Sequence, residues 1–243
     1  MTLDRLNRRQ SLLHQFETAR RELDGAAQVA SHLDVRKSAW QMLTSGTLRD
    51  ALNIRREPDR LRDRYGRHLF GQSLMMGRRM IEAGARFVTV IWDACEGDIS
   101  GWDCHRGLTA SLKNHLLPGL DQGFSALLED MHDRGLLDET LVICVGEIGR
   151  TPKFVNRGNP DGRDHWSYCF PAVLAGAGIR GGTLLGESDR QAAYPRERPV
   201  SPEDLTCTIL ESLGIDPHRV IHDKQGRPVP LVDRGRPLHD LWA

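Results

Sequence analysis

Two short apolar runs with one amphipathic helix between them constrain the fold of this 243-residue chain most. Residues 86–92 and 140–146 are rich in β-branched and aromatic side chains, and each has the length of a short strand. Between them, apolar residues recur at helical spacing before a stop at Gly135: Leu116, Leu120, Phe124, Leu127, Leu128 and Met131. Strands that are apolar throughout are typical of a parallel sheet covered on both faces. The pattern therefore predicts a βαβ unit in an α/β fold.

The chain before residue 84 follows a helical period instead. Apolar residues recur there at helical steps, with Arg and Glu between them: Leu3, Leu6, Leu13, Phe16 and Leu23. After residue 84 a third apolar run, 170–176, adds to the strands, and a further helix is marked by Ser201 as N-cap and Gly214 as stop. We expect one continuous domain, with a helical section over 1–83 packed on an α/β core over 84–243.

Composition excludes several classes of protein. The 33 Lys and Arg residues are balanced by 33 Asp and Glu, so the chain has no general attraction for nucleic acid or an acidic membrane surface. The apolar runs are far shorter than the roughly 18 residues that span a bilayer. The charged N-terminus lacks the apolar segment of a signal peptide, and the 5 cysteines are scattered. As written, the chain is predicted to be cytoplasmic, with neither a nucleic-acid nor a membrane partner.

Polar residues follow the predicted strands, where ligands bind in open α/β sheets. The candidate site residues from these loops are Asp103, His105, Glu147, Arg150, Arg163 and His165. Carboxylate oxygens together with imidazole nitrogens suit a divalent cation such as zinc or manganese. The two arginines suit a tetrahedral anion, which a guanidinium group can hold with two hydrogen bonds. An Asp-x-His pair alone is also common on ordinary surfaces, so a site requires that these loops converge.

Three segments in order resemble a known family. They are 101–105 (Gly-Trp-Asp-Cys-His), 146–152 (Gly-Glu-Ile-Gly-Arg-Thr-Pro) and 162–166 (Gly-Arg-Asp-His-Trp). With the glycine-rich tail over 174–182, they are similar to domain-of-unknown-function family 1501, a sulfatase-like branch of the alkaline phosphatase superfamily. The resemblance implies a partial alkaline-phosphatase-like parallel sheet flanked by helices. It also implies a metal-dependent site that cleaves phosphate or sulfate esters of a small molecule or a polymer.

The resemblance also implies roles for individual residues. The implied metal ligands are Asp103, His105, Glu147 and His165, for zinc, manganese, magnesium or calcium. Asp164 is implied as a further ligand or as the partner that orients His165, and Arg150 is implied to face the anion.

Members of this family usually begin with a strand that carries the nucleophile, and they are often exported. This chain begins in helices and offers no such strand, so we expect a truncated domain with negligible turnover of esters. A non-catalytic remnant that binds metal or ligand, and a structural protein without metal, are the alternatives.

Overall fold

The computed structural model describes residues 8–15, 36–37, 40, 46–92, 101–155 and 161–242. Residues 8–15 are helical, as the sequence predicts for this section. From residue 46 onward, the α-helices are α1 (Gly46–Leu52), α2 (Asp59–Tyr65), α3 (Leu69–Glu82), α4 (Leu108–Ser111), α5 (Leu117–Asp133) and α6 (Pro202–Ser212). A π-helical turn over Leu112–Leu116 joins α4 to α5, and short 3-10 turns lie at Ile54–Arg56, Leu136–Asp138 and His239–Leu241. None of the described helices combines the length and apolar character needed to cross a membrane.

Within the described residues, eight short strands form four two-stranded sheets. The strands are β1 (Val142–Val145), β2 (Gly149–Arg150), β3 (His165–Trp166), β4 (Ala172–Ala175), β5 (Glu187–Ser188), β6 (Pro195–Glu197), β7 (Val220–His222) and β8 (Pro228–Pro230). β1 pairs with β4, β2 with β3, β5 with β6, and β7 with β8. The structure is therefore mixed α/β, with helices and small antiparallel sheets.

The predicted parallel sheet is not found in the described residues, where every strand pair is antiparallel. The crossover of a parallel pair is usually a helix, whereas the described residues between β1 and β4 contain the short β2–β3 pair and no helix. The other predicted member of the unit, residues 86–92, is extended but is not assigned to a strand. Its alternation is nevertheless strand-like, since Val88 and Val90 are half-buried against α3 while Phe87 and Ile91 are exposed.

The main core lies between α3 and α5. Its buried side chains are Tyr65, Leu74, Met75, Ala126, Leu127 and Met131. α5 begins and ends close to the predicted helix, and Gly135 follows it in the left-handed region at φ 71°. α6 is also confirmed: Ser201 and Asp204 form a reciprocal capping box at its start, and Gly214 follows its end with φ 73°.

A charged cluster is buried beside this core. Arg78 is only 1% exposed, and its guanidinium lies 2.9 Å from Glu57 Oε1 and 2.8 Å from Asp130 Oδ2. Tyr65 donates a hydrogen bond of 2.9 Å to Asp130, and Arg79 also pairs with Glu57. Burial raises the pKa of Tyr65. Burial also opposes ionisation of Glu57, but hydrogen bonds from Arg79 and Arg78 outweigh that effect and lower the pKa of Glu57.

Candidate metal centre

Backbone hydrogen bonds tie together the three segments whose residues were predicted to converge. The amide of Leu108 donates to Asp161 O at 2.8 Å, and the amide of Arg163 donates to Cys104 O at 3.3 Å. In the β2–β3 pair, Arg150 lies directly opposite His165. These contacts hold the three segments 101–109, 149–155 and 161–166 next to one another.

Two glycines permit this close approach. A Cβ atom at Gly162 would lie 1.9 Å from the carbonyl oxygen of His105, and one at Gly149 would lie 2.1 Å from the carbonyl oxygen of Cys169. Both distances are far inside van der Waals contact with rigid backbone atoms, so any side chain would push the segments apart. Both glycines belong to the segments that carry the family resemblance.

Asp103, His105 and His165 form a compact group of possible ligands. Asp103 Oδ1 lies 2.8 Å from His165 Nε2 and 3.0 Å from His105 Nε2. One ligand atom from each residue lies within 4.8 Å of the others, and the two imidazole centroids are 4.9 Å apart. Bonds of about 2.0–2.1 Å at tetrahedral angles place ligand atoms roughly 3.3 Å apart, so these residues fit one ion after small side-chain movements.

Asp164 orients one imidazole of this group. Its Oδ1 lies 2.7 Å from His105 Nδ1, and its own amide donates to Thr151 Oγ1 at 3.2 Å. A carboxylate on Nδ1 holds the proton of a neutral imidazole on that nitrogen and leaves Nε2 to face a ligand. The resemblance implied that Asp164 is a metal ligand or orients His165. In the structure its carboxylate contacts His105, and its role as a ligand stays a prediction.

Arg150 contacts the group through the same carboxylate. Its Nη2 lies 2.5 Å from Asp103 Oδ1 and donates to the carbonyl of Trp102 at 3.2 Å. The hydrogen bond from His165, followed by contributions from Arg150 and His105, lowers the pKa of Asp103 to about 2. Asp103 is therefore ionised at neutral pH and is available as a ligand without loss of a proton.

Two other residues near the centre lie outside the group. Glu147 is exposed in the turn before β2 and is not among the clustered ligand atoms. Cys104, between two members of the group, is 4% exposed and packs with Leu108 and Leu116. Burial raises the pKa of the Cys104 thiol, so it stays protonated.

Sequence reasoning missed Thr151, which supports Asp164 through the hydrogen bond described above. Its hydroxyl also donates to the carbonyl of Lys153 at 2.9 Å. The sequence feature that could have identified Thr151 is its position in the 146–152 segment, directly after Arg150.

Neither a curated protein nor a solved structure matches the chain. A family model, described as a protein of unknown function (DUF1501), matches residues 1–242. The chain therefore belongs to the DUF1501 family.

Proposed function

We propose that this chain binds one divalent metal ion through Asp103, His105 and His165 and uses it on a phosphate or sulfate ester. The observation that carries the proposal is the convergence of these side chains from two segments about 60 residues apart. One carboxylate and two imidazoles form a donor set typical of zinc and other divalent transition metals, with coordination positions left for substrate. Membership of the sulfatase-like branch of the alkaline phosphatase superfamily is part of this proposal.

The surrounding residues have distinct tasks in this proposal. Asp164 holds His105 in the tautomer that presents Nε2 to an ion. Arg150 is paired with Asp103 Oδ1 in the structure, and once that oxygen is engaged as a ligand, the guanidinium turns to the oxygens of the ester. A bound divalent ion supplies positive charge that polarises a phosphoryl or sulfuryl oxygen. Glu147 is exposed, and it can serve as a further ligand only when its turn moves toward the group.

A non-catalytic metal-binding domain is the second candidate, and the surroundings of the group favour it. Cleavage by a covalent route needs a nucleophile beside the ion. The thiol of Cys104, which lies between two members of the group in the sequence, is buried and protonated. The hydroxyl of Thr151 is engaged both as a donor and as an acceptor. Neither group is activated for attack in this arrangement.

Metal analysis combined with ester hydrolysis tests the two candidates. The full chain, H105A, H165A and the control H132A are loaded in turn with zinc, manganese, magnesium, calcium or iron, and bound metal is counted. His132 is exposed on α5 and lies outside the group, so H132A should retain the metal. We expect one ion per chain in the wild type and H132A, with binding lost in H105A and H165A.

Hydrolysis of 4-nitrophenyl phosphate and 4-nitrophenyl sulfate by the same proteins then separates the candidates. Metal-dependent turnover that H105A abolishes supports the hydrolase. Metal binding without turnover supports the non-catalytic domain. A wild-type chain that binds none of these ions contradicts both.

A further inference from the structure

An open cavity of about 930 Å³ lies beside the metal centre. Its volume is within the range of small-molecule sites, on the order of 300–1,000 Å³. Arg150 belongs to both places, because it lines the cavity and also lies 2.5 Å from Asp103 Oδ1. A ligand in the cavity would therefore meet the metal centre through this guanidinium.

The walls of the cavity are largely apolar. They include Trp102, Leu112, Leu117 and Phe154. Leu117 is 50% exposed and Phe154 is 54% exposed, although large apolar side chains usually bury more of their surface. Apolar side chains that remain exposed around a concavity are typical of a ligand-binding surface.

The charged groups of the cavity favour an anion. The cavity is lined by three basic residues, Lys113, Arg150 and Arg163. Among the described residues that line it, the acidic one is Asp121. Arg163 stacks over the ring of Phe154 at 4.8 Å, which places a cation directly against the apolar wall.

Both arginines also carry unused hydrogen-bond donors. Arg163 Nε and Arg150 Nη1 are buried atoms with no hydrogen-bond partner among the described residues. Buried donors of this kind normally have an acceptor, which can be a bound ion or water. An oxyanion between the two guanidinium groups would supply that acceptor once the arginine side chains turn toward it.

We propose that this cavity binds an organic anion with an apolar, ring-sized body. Its oxyanion lies at Arg150 and Arg163, and its body lies against Leu112, Leu117 and Phe154. This identification of the substrate rests on the proposed function. If the chain cleaves an ester, we infer that the alcohol part of that ester is bulky and apolar or aromatic. A small polar ester would leave the apolar wall uncovered.

Calorimetric titration of the full chain with unreactive probes tests the proposal. Naphthalene-1-sulfonate carries both the anion and the apolar body, methanesulfonate carries only the anion, and naphthalene-1-sulfonamide carries only the body. We expect the sulfonate to bind about 100-fold tighter than methanesulfonate, because the ring system is buried against apolar walls. We expect it to bind about tenfold tighter than the sulfonamide, because charge-assisted hydrogen bonds are lost in the neutral probe. 1-Naphthylphosphonate and 1-naphthoate, which also carry no ester bond, then show which oxyanion is preferred.

Two variants and two controls locate the binding. L112E places a negative charge on the apolar wall, and R163Q removes one cation. Each should weaken binding of naphthalene-1-sulfonate by about tenfold or more. The controls L184E and R196Q change an exposed leucine and an exposed arginine that do not line the cavity, and binding should be unchanged. Equal affinity for naphthalene-1-sulfonate and methanesulfonate would overturn the proposal. So would unchanged binding of naphthalene-1-sulfonate in both L112E and R163Q.

The same titrations separate this inference from the proposed function. Sulfonate binding that depends on Leu112 and Arg163 in a chain that binds no metal supports the cavity and refutes the metal-dependent reaction. Metal-dependent hydrolysis that is equally fast for methyl and naphthyl esters, and insensitive to L112E, supports the reaction and refutes the apolar substrate.

Discussion

Two clusters of charge in this molecule use similar side chains in opposite ways. In the buried cluster, Arg78 is 1% exposed and contacts carboxylates of Glu57, Glu82 and Asp130. In the metal centre, two imidazoles and the Arg150 guanidinium all converge on the single oxygen Oδ1 of Asp103, whose side chain is 57% exposed. The buried cluster surrounds Arg78 with three carboxylates, each of which also pairs with Arg79 or Arg134. The centre instead gathers two imidazole nitrogens and one guanidinium around a single exposed carboxylate.

The difference shows how charge serves stability in one place and binding in the other. Groups in the buried cluster are shielded from water, so removing one partner leaves desolvated charges with fewer opposite charges to compensate them. The centre is open to solvent, and its pairs add little to stability because water screens them. Its donors can therefore exchange partners when an ion or anion arrives, at small cost to the fold.

The largest expected effect is on stability, from R78M. The variant leaves Glu57 and Asp130 buried beside an apolar side chain, with Arg79 and Arg134 as their remaining cations. We expect the free energy of unfolding to fall by about 3 kcal/mol, the lower end of the range for breaking a buried pair. Arg67, which pairs with Asp59 and Asp63 at the surface, provides the control. R67M should lower the free energy of unfolding by about 1 kcal/mol or less. Urea denaturation of the three proteins measures both changes, and equal losses would remove the distinction between buried and exposed pairs.

The next effect is on metal affinity, from D164N. Loss of the carboxylate on His105 Nδ1 should weaken binding of the ion by about 10- to 100-fold, because the imidazole is no longer held in its ligating orientation. The free energy of unfolding should change by only about 0.5 kcal/mol, as at ordinary surface positions. Asp223 pairs with Arg227 away from the centre, so D223N serves as the control and should keep wild-type affinity. Unchanged affinity in D164N would show that Asp164 does not position His105.

The smallest effect is a dependence of stability on pH. The pKa of Glu57 is lower in the folded chain than the ordinary glutamate value of 4.5. The ionised carboxylate therefore stabilises the fold fully above about pH 4.5, and this contribution disappears as the pH falls through the lower folded pKa. In E57Q, thermal melting should depend less steeply on pH below 4.5 than in the wild type. An equally steep dependence would mean that the acid sensitivity comes from other carboxylates.

Local sequence signals predicted local structure well. Ser201 with Gly214 defined α6, the apolar spacing before Gly135 defined α5, and 140–146 contains β1. The pairing of β1 was not predictable in this way, because the apolar sequence of a strand does not specify which other strand it pairs with. The partner of β1 is Ala172–Ala175, an antiparallel neighbour instead of the expected parallel one.

In the candidate site, too, some features were predictable from the sequence and others were not. The strand order and the family resemblance predicted that Asp103, His105, Glu147 and His165 converge. In the structure Asp103, His105 and His165 lie together, although the parallel sheet expected to bring them together is not found in the described residues. The partner of Asp164 required three-dimensional detail. Successive side chains in extended backbone point in opposite directions, so Asp164 cannot easily orient its neighbour His165 and instead meets His105.

The most direct test of the central claim is a titration of the metal-free chain with zinc and with manganese, followed by calorimetry. The wild type should bind one ion per chain, and the double variant H105A/H165A should bind none at the same site while unfolding at a similar urea concentration. Retention of one ion per chain by the folded double variant, or the absence of binding in the wild type, would contradict a metal centre at Asp103, His105 and His165.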